Sequence, residues 1–282
     1  MEAWIALARR QLASGSLISK PPVIPANPGG EGWSGMYNAM IHPFVHLPIK
    51  GALWYQGEYN GAEGTIYYEK MRALIGGWRK VWGQGDFPFY FVQLANFQAV
   101  SEDSAGGNGW AKLREAQTKA LTIPNTGMAV IIDTVPLAER DDIHPRNKYD
   151  VGMRLARWAL NRDYGQKQLE ASGPLFKVLK IEDGKIRLAF DHTGTGLMVG
   201  KKEGRNPAVE APGGKLKQFA IAGADRKWFW ADAVIVNNTV TVSSPAVNEP
   251  VAVRYAFQMN PDGANLYNRE GLPASPFRTD DW

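Results

Sequence analysis

The chain has 282 residues, of which 44% are apolar and 21% charged, so it can bury a sizeable core as one large or two modest globular domains. Its net charge of +4 comes from scattered lysines and arginines, which argues against the concentrated basic stripe of a nucleic-acid-binding protein. Cysteine is absent, which excludes disulfides and thiol chemistry, and no apolar run reaches the roughly 18 residues that a membrane-spanning helix needs.

The N-terminal segment, residues 1–35, is predicted to be a helix followed by a linker. Apolar and polar residues over 1–18 alternate at helical spacing, with Trp4 and Leu12 on the apolar side. A proline-rich stretch follows at residues 21–28. The start lacks the apolar core of a signal peptide, and the sequence leaves the localisation open.

Residues 36–165 are predicted to form an α/β domain, because apolar runs alternate with helical patterns. The predicted strands cover residues 49–55, 87–94 and 128–133, and the predicted helices cover residues 64–82, 111–121 and 148–158. This alternation is typical of a parallel sheet with helices on both faces.

A polar turn follows the first predicted strand, where Gln56, Gly57 and Glu58 come directly after an apolar run. Open α/β sheets gather ligands and catalytic groups where their strands end. The alternative is a strand end whose Gln56 and Glu58 only cap the next helix.

A second polar block contains Asp141, Asp142 and His144. Histidine titrates near neutral pH and is the usual general base. An aspartate shortly before it can hold the imidazole in one tautomer and stabilise the imidazolium. The alternative is a solvated surface loop without a catalytic role.

Residues 166–282 are predicted to form an antiparallel β unit, since short alternating runs are separated by Gly, Asn and Pro turns. The predicted strands cover residues 185–190, 216–221, 233–236, 239–242 and 251–257.

Together these blocks resemble the SGNH hydrolases, and among them the sialate O-acetylesterase branch of carbohydrate acetylesterases, in which a Trp-Tyr-Gln-Gly-Glu-x-Asn turn and an Asp-Ile-His-Pro loop recur. Four further segments resemble this branch in the same order, at residues 37–41, 113–117, 124–130 and 265–278. The resemblance implies a flavodoxin-like parallel sheet and hydrolysis of acetyl esters on sialic acid or xylan-type sugars, with no metal or organic cofactor. The final segment leads us to expect the β unit to pack back onto the sheet.

The resemblance also implies roles for the polar residues. His144 would be the base of a Ser-His-acid mechanism, with Asp142 or Asp141 orienting it and Glu58 as a rival acid. Gln56 and the backbone N–H of Gly57 would stabilise the oxyanion. The candidates for substrate contact are Arg114, Gln117 and Asn60, although Arg114 beside Glu115 could equally stabilise its own helix.

The family's nucleophile turn, a Gly-x-Ser-Asn-Met pattern after the first strand, is not found in this sequence. The sheet would then lack its first strands, and three explanations stay open. The chain is a fragment, a partner chain supplies the serine, or another serine replaces it, for which Ser34 between Trp33 and Gly35 is the best candidate. The competing functions are a catalytically silent sugar-binding remnant and half of a split hydrolase, and a homo-oligomer is also open.

Overall fold

The computed structural model describes residues 2–20 and 35–282 and divides into two compact units, Met1–Pro48 and Ile49–Trp282. In the first unit, helix α1 (Glu2–Ala13) is shorter than the predicted 1–18, and the Trp4 indole N–H donates to the carbonyl of Ser19 at 2.9 Å. A π-helical turn (Tyr37–Ile41) and a 3-10 turn (His42–Phe44) follow residue 35.

The second unit begins with the predicted parallel sheet, in the order β1-β2-β3. Its strands and helices are β1 (Ala52–Trp54), α2 (Tyr67–Trp82), β2 (Phe89–Val92), α3 (Gly109–Lys119), β3 (Thr126–Ala129) and α4 (Lys148–Arg162). The α/β prediction is therefore confirmed. None of the helices in the described ranges is long and apolar enough to cross a membrane.

Both faces of this sheet are covered, because successive side chains of a strand point to opposite faces. Phe91 of β2 packs in one apolar cluster with α2 and α3, where Leu113 is fully buried. Its neighbour Tyr90 packs in a second cluster with Trp158 of α4. Such two-sided burial explains the nearly continuous apolar run that predicted β2.

Strand β1 differs from the prediction of a buried strand over residues 49–55. It spans three residues, and the side chain of Leu53 is 65% exposed. The physical reason is its position, since β1 pairs with β2 on one side and no strand among residues 2–20 and 35–282 pairs with its outer edge.

Residues 166–282 form antiparallel sheets, as predicted. Their strands are β4 (Leu175–Glu182), β5 (Lys185–Asp191), β6 (Leu197–Lys201), β7 (Val209–Glu210), β8 (Phe219–Gly223), β9 (Trp228–Trp230), β10 (Asp232–Val236), β11 (Thr239–Ser243), β12 (Pro250–Tyr255), β13 (Leu266–Asn268) and β14 (Phe277–Arg278). The sheet orders are β10-β11-β5-β4, β14-β12-β8-β9 and β13-β6-β7.

The α/β part and the β-rich part share one apolar core. The cluster that contains Phe91 and Leu113 also contains Tyr255 and Phe277. An ion pair of 2.7 Å between Arg278 Nε and Glu115 Oε1 joins the two parts as well. The boundary predicted between residues 165 and 166 accordingly falls inside the second unit.

The packing of α4 on the sheet depends on Gly127, and this gives the first prediction. A Cβ at Gly127 would lie 2.5 Å from Trp158 Cδ2 and 2.8 Å from Tyr90 Cδ1. We expect Gly127→Ala to lower the free energy of unfolding by about 1–3 kcal/mol through overpacking. Urea denaturation measures this change.

The matched control is Gly152→Ala in α4, where a Cβ would meet nothing within 4 Å. Alanine is the better helix former, so this variant should be as stable as the parent or more stable by about 0.5–1 kcal/mol. Equal stability of Gly127→Ala and the parent would contradict the close packing described here.

Candidate active site

The polar turn lies at the carboxyl end of β1, and its backbone requires glycine. Gly57 has a φ of 152°, and a Cβ there would lie 3.1 Å from Leu94 Cδ2 and 3.3 Å from Gln117 Nε2. Among the described residues, no acceptor pairs with the Gly57 backbone N–H. The turn therefore presents a free N–H donor at the edge of the sheet where ligands commonly bind.

Gln56 is held in one orientation by two polar side chains. Its Nε2 donates to Asn60 Oδ1 at 2.8 Å, and its Oε1 accepts from the Tyr67 hydroxyl at 3.0 Å. That hydroxyl also lies 3.0 Å from the Gln56 carbonyl oxygen. Since an amide nitrogen carries two hydrogens, one N–H of Gln56 stays available to a ligand. Asn60, predicted to bind substrate, positions Gln56 in this structure.

Arg114 and Gln117 are buried residues of α3, so the prediction that they contact substrate does not fit their placement. Both are at most 1% exposed. Gln117 Oε1 accepts from the Leu94 N–H at 2.9 Å, and its Nε2 donates to the Val92 carbonyl at 3.1 Å. Gln117 therefore fixes the chain that leaves β2.

The Arg114 guanidinium binds backbone only. It donates to the carbonyl oxygens of Leu94, Ala95, Gln258 and Met259. Burial lowers the pKa of Arg114 to about 9, and the four carbonyl oxygens stabilise its charged form. Arg114 is thus a positioning residue that ties the loop after β2 to the loop after β12.

Glu58 begins a short 3-10 turn (Glu58–Asn60) and is half-buried. Its carboxylate adds to the effect of burial in raising the pKa of Tyr55, and it makes a smaller contribution to the raised pKa of Tyr67. Within the described residues the Glu58 carboxylate has no hydrogen-bond partner. Both carboxylate oxygens are therefore open to a proton donor.

His144 lies in an exposed loop, and neither nearby aspartate touches its ring. Asp142 Oδ1 accepts from the backbone N–H of His144 at 2.9 Å, while its Oδ2 lies 3.6 Å from Arg146 Nε. The Asp141 carboxylate is 82% exposed and lies 3.8 Å from Arg140 Nε. Asp142 thus shapes the loop, and the ring-orienting roles of both aspartates stay predictions.

The structure links one set of predicted residues and leaves the others apart. A hydrogen bond joins Gln56 to Asn60, and Gln117 Nε2 would lie 3.3 Å from a Cβ at Gly57, whereas no hydrogen bond or ion pair within the described ranges joins these residues to His144. Ser34 lies outside the described residues. No cluster of three or more acidic or histidine side chains suited to a metal occurs in residues 2–20 and 35–282.

The residue that sequence analysis missed is Tyr67. Tyr67 lies among the apolar residues at helical spacing in the predicted helix 64–82, a pattern that indicates only a core position, and it is indeed 3% exposed. Its hydroxyl nevertheless binds Gln56. The signal in the sequence is a tyrosine in the first turn of the helix that follows a polar turn, because a buried tyrosine hydroxyl usually needs a partner.

Comparisons with known proteins identify relatives of this chain. Residues 24–161 match the family described as carbohydrate esterase, sialic acid-specific acetylesterase. The chain is 31% identical over 287 residues to the sialate O-acetylesterase of Rattus norvegicus and 32% identical over 274 residues to that of Homo sapiens. These alignments cover 90% and 86% of this chain but 49% and 48% of the relatives.

A solved structure is also similar, that of a carbohydrate acetylesterase from Xanthomonas citri. It superposes with a TM-score of 0.77 at 46% identity, covering 88% of this chain and 54% of the other. The chain thus spans about half the length of the relatives that it matches.

The buried guanidinium of Arg114 gives the second prediction. Arg114→Met removes the donors to four backbone carbonyls, and unsatisfied buried groups cost about 1–3 kcal/mol each. We expect a loss of at least about 3 kcal/mol in the free energy of unfolding, measured by urea denaturation.

Arg72→Met is the matched control, since the Arg72 side chain is 58% exposed on α2. A surface change of this kind should alter stability by no more than about 0.5 kcal/mol. Equal effects of the two substitutions would contradict the positioning role of Arg114.

Proposed function

We propose that the chain, of which residues 24–161 match the sialic acid-specific acetylesterase family of carbohydrate esterases, acts in the hydrolysis of acetyl esters on sugars such as sialic acid or xylan. One observation carries the proposal beyond the family likeness. The free Gly57 N–H and the fixed amide of Gln56 lie together at the carboxyl end of β1. Two fixed donors are what a developing oxyanion requires.

The proposed reaction is acyl transfer through a serine ester. His144 removes the proton from a serine hydroxyl, whose oxygen attacks the acetyl carbonyl carbon. The negative charge on the carbonyl oxygen is stabilised by Gln56 Nε2 and the Gly57 N–H, at about 3–4 kcal/mol for each donor. The intermediate then expels the sugar oxygen, which takes the proton from His144. Water repeats the sequence on the acetyl-enzyme, releasing acetate and restoring the serine.

Three carboxylates compete for the role of orienting His144. Asp142 lies nearest along the chain, but its Oδ1 already accepts from the backbone N–H of His144. Asp141 is held only by a 3.8 Å contact to Arg140. Glu58 has both oxygens unpaired among the described residues. These contacts favour Glu58 over the aspartates as the carboxylate that orients His144 when the polar turn and the His144 loop approach each other.

The source of the serine is the second part of the proposal. Ser34 is the candidate within this chain, and the alternative is a segment that adds to the sheet at the outer edge of β1. Two features of that edge support the alternative. Leu53 is 65% exposed, and the Tyr55 hydroxyl is buried without a partner in the part of the chain that the structure describes. An added strand would pair with an edge of this kind.

A catalytically silent sugar-binding protein is the second candidate function. The fixed Gln56 amide would then bind a sugar hydroxyl or an acetyl carbonyl without chemistry. Absence of turnover together with retained binding of an acetylated sugar would favour it.

The third prediction tests catalysis in the purified chain. Acetate release from p-nitrophenyl acetate and from an acetylated sugar is measured for the parent, Ser34→Ala and His144→Ala. We expect His144→Ala to lose at least about 90% of the rate, because the serine stays protonated without a base. The control is His46→Ala, an exposed histidine of the first unit, which should keep the parent rate.

The outcomes separate the sources of the nucleophile. Loss of activity in both Ser34→Ala and His144→Ala would identify a complete enzyme that uses Ser34. Loss in His144→Ala alone would assign another serine. A folded parent without activity would point to an added segment or to the silent protein, and a His144→Ala variant above about a tenth of the parent rate would rule out His144 as the base.

The fourth prediction concerns the acid. Glu58→Gln should reduce kcat more than Asp141→Asn or Asp142→Asn does, because the Glu58 carboxylate has no competing partner within residues 2–20 and 35–282, whereas both aspartates have one. The kcat of each variant is measured at saturating substrate and compared with that of the parent. Full activity in all three variants would mean that no carboxylate orients His144.

A further inference from the structure

The loop of residues 134–147, between β3 and α4, carries His144 and is bounded by two aspartates whose side chains are shielded from solvent. Asp133 comes directly before the loop, and Asp150 follows it in the first turn of α4. Arg154, one helical turn after Asp150, donates to both carboxylate oxygens of Asp133 at 2.6 and 2.8 Å. Both ends of the loop are therefore attached to the same face of α4.

Lys202, which follows β6 in the β-rich part, neutralises Asp150. Its side chain is 5% exposed, and its Nζ lies 2.8 Å from Asp150 Oδ2. The same ammonium group donates to the carbonyl oxygens of Gly204 at 2.8 Å and Asn206 at 3.0 Å. An ammonium group has three hydrogens, so each of them has an acceptor, and the charge is tolerated without solvent. The chain from Lys202 to Asn206 thus presents a fixed cation to the beginning of α4.

These four side chains form a buried charge network of alternating sign, in the order Lys202, Asp150, Arg154 and Asp133. All four are at most 14% exposed. Burial lowers the pKa of Arg154, but the carboxylates of Asp133 and Asp150 outweigh this effect and raise its pKa. Tyr267 of β13 also donates its hydroxyl to Asp133 at 3.1 Å. Removal of one member would leave its neighbour as a buried charge with fewer partners.

Asn147 connects the buried charge network to the loop. It is the N-cap of α4, where its Oδ1 accepts from the Asp150 N–H at 3.2 Å and its Nδ2 donates to Asp150 Oδ2. Its Nδ2 also lies 3.4 Å from the Gly204 carbonyl oxygen. The Asp150 carboxylate therefore binds Lys202 and Asn147 at once, and His144 lies three residues before Asn147. The place of this carboxylate thus sets where α4 begins and where the loop ends.

The polar contacts of the loop closer to His144 are weaker. On the preceding side, the Gln98 N–H donates to the Arg140 carbonyl at 2.7 Å. Arg146 is 73% exposed and lies 3.6 Å from each of two carboxylates of the loop. Exposed ion pairs contribute little to holding a chain in place. The segment around His144 therefore depends on the buried charge network for its electrostatic anchor.

We propose that Lys202 is a positioning residue for the candidate general base, acting through Asp150 and Asn147 on the loop that carries His144. The proposal rests on the proposed function, because it gives the β-rich part a role in acyl transfer. A general base must lie within hydrogen-bond reach of the hydroxyl that it deprotonates, and a small displacement lowers the rate strongly. Lys202 touches none of the reacting groups and acts only by fixing the end of the loop.

Hydrogen–deuterium exchange of peptides that cover residues 134–150 measures the loop without reference to turnover. We expect Lys202→Met to accelerate this exchange at least about tenfold, because local opening of the loop becomes easier. The matched control is Arg79→Met. Arg79 is 8% exposed and donates to the carbonyl oxygens of Phe87 and Pro124, which precede β2 and β3. This control removes a buried cation at the other end of the sheet, and it should leave the loop exchange within about threefold of the parent.

A second pair of variants tests the path through Asp150. The exchange is measured for Asp150→Asn and for the double variant Lys202→Met/Asp150→Asn. Because both substitutions break the same ion pair, the double variant should exchange no more than about twofold faster than the faster single variant. Effects that multiply in the double variant would overturn the role of Asp150 as the link.

Kinetics separate positioning from a loss of stability. Lys202→Met should lower kcat for acetate release at least about tenfold and leave KM within about twofold, whereas Arg79→Met should keep the parent kcat. Unchanged loop exchange in Lys202→Met, equal acceleration in Arg79→Met, or faster exchange at the parent kcat would overturn the proposal. Faster exchange in Lys202→Met of a chain that releases no acetate would support the anchor while rejecting the esterase, so the two proposals fail separately.

Discussion

The placement of the candidate site depends on the buried guanidinium of Arg114. Its donors bind carbonyl oxygens from two distant loops, at Leu94 and Ala95 after β2 and at Gln258 and Met259 after β12. A charge without solvent is tolerated only when its hydrogen bonds are satisfied, so these loops must keep their positions for the fold to be stable. Helix α3 also carries Gln117, whose Oε1 accepts from the Leu94 N–H, so the same helix supports the chain after β2 and joins the α/β part to the β-rich part.

The sequence predicted those features that follow from local patterns. The alternation of helices and strands gave the α/β order, and the polar turn after β1 and the His144 loop were identified from residue type and spacing. Several strands of residues 166–282 were not predicted, among them β4, β6 and β13, and β1 was predicted too long. Two of these errors, at β4 and β1, have local causes. Strand β4 carries lysines among its apolar residues and a register shift between Phe176 and Val178, so its alternation is broken. Strand β1 was predicted to be buried, but Leu53 is exposed. Its burial would require a second strand beside β1, and a local sequence pattern does not show whether a strand lies at the edge of a sheet.

The candidate site was less predictable, because the orientation of a polar side chain is set by tertiary contacts. Arg114 and Gln117 have the chemistry to bind a sugar, and spacing along a helix cannot tell whether that face points to solvent or to carbonyl groups. Asp142 is equally ambiguous, since its carboxylate accepts from the backbone N–H of His144 rather than from the ring. Tyr67 is a core residue whose hydroxyl also donates to Gln56. The helical spacing of apolar residues indicates the core position but not the hydrogen bond.

The outer edge of β1, with which no strand of residues 2–20 and 35–282 pairs, has a consequence for the behaviour of the protein in solution. Unpaired strand edges are templates for pairing between copies of a chain, and an exposed apolar side chain such as Leu53 increases that tendency. Two features of this edge reduce the aggregation hazard. The strand is only three residues long, and it is preceded by Lys50, whose charge disfavours stacking of identical edges. Colloidal stability of the chain would therefore be most sensitive to changes that lengthen β1 or neutralise Lys50.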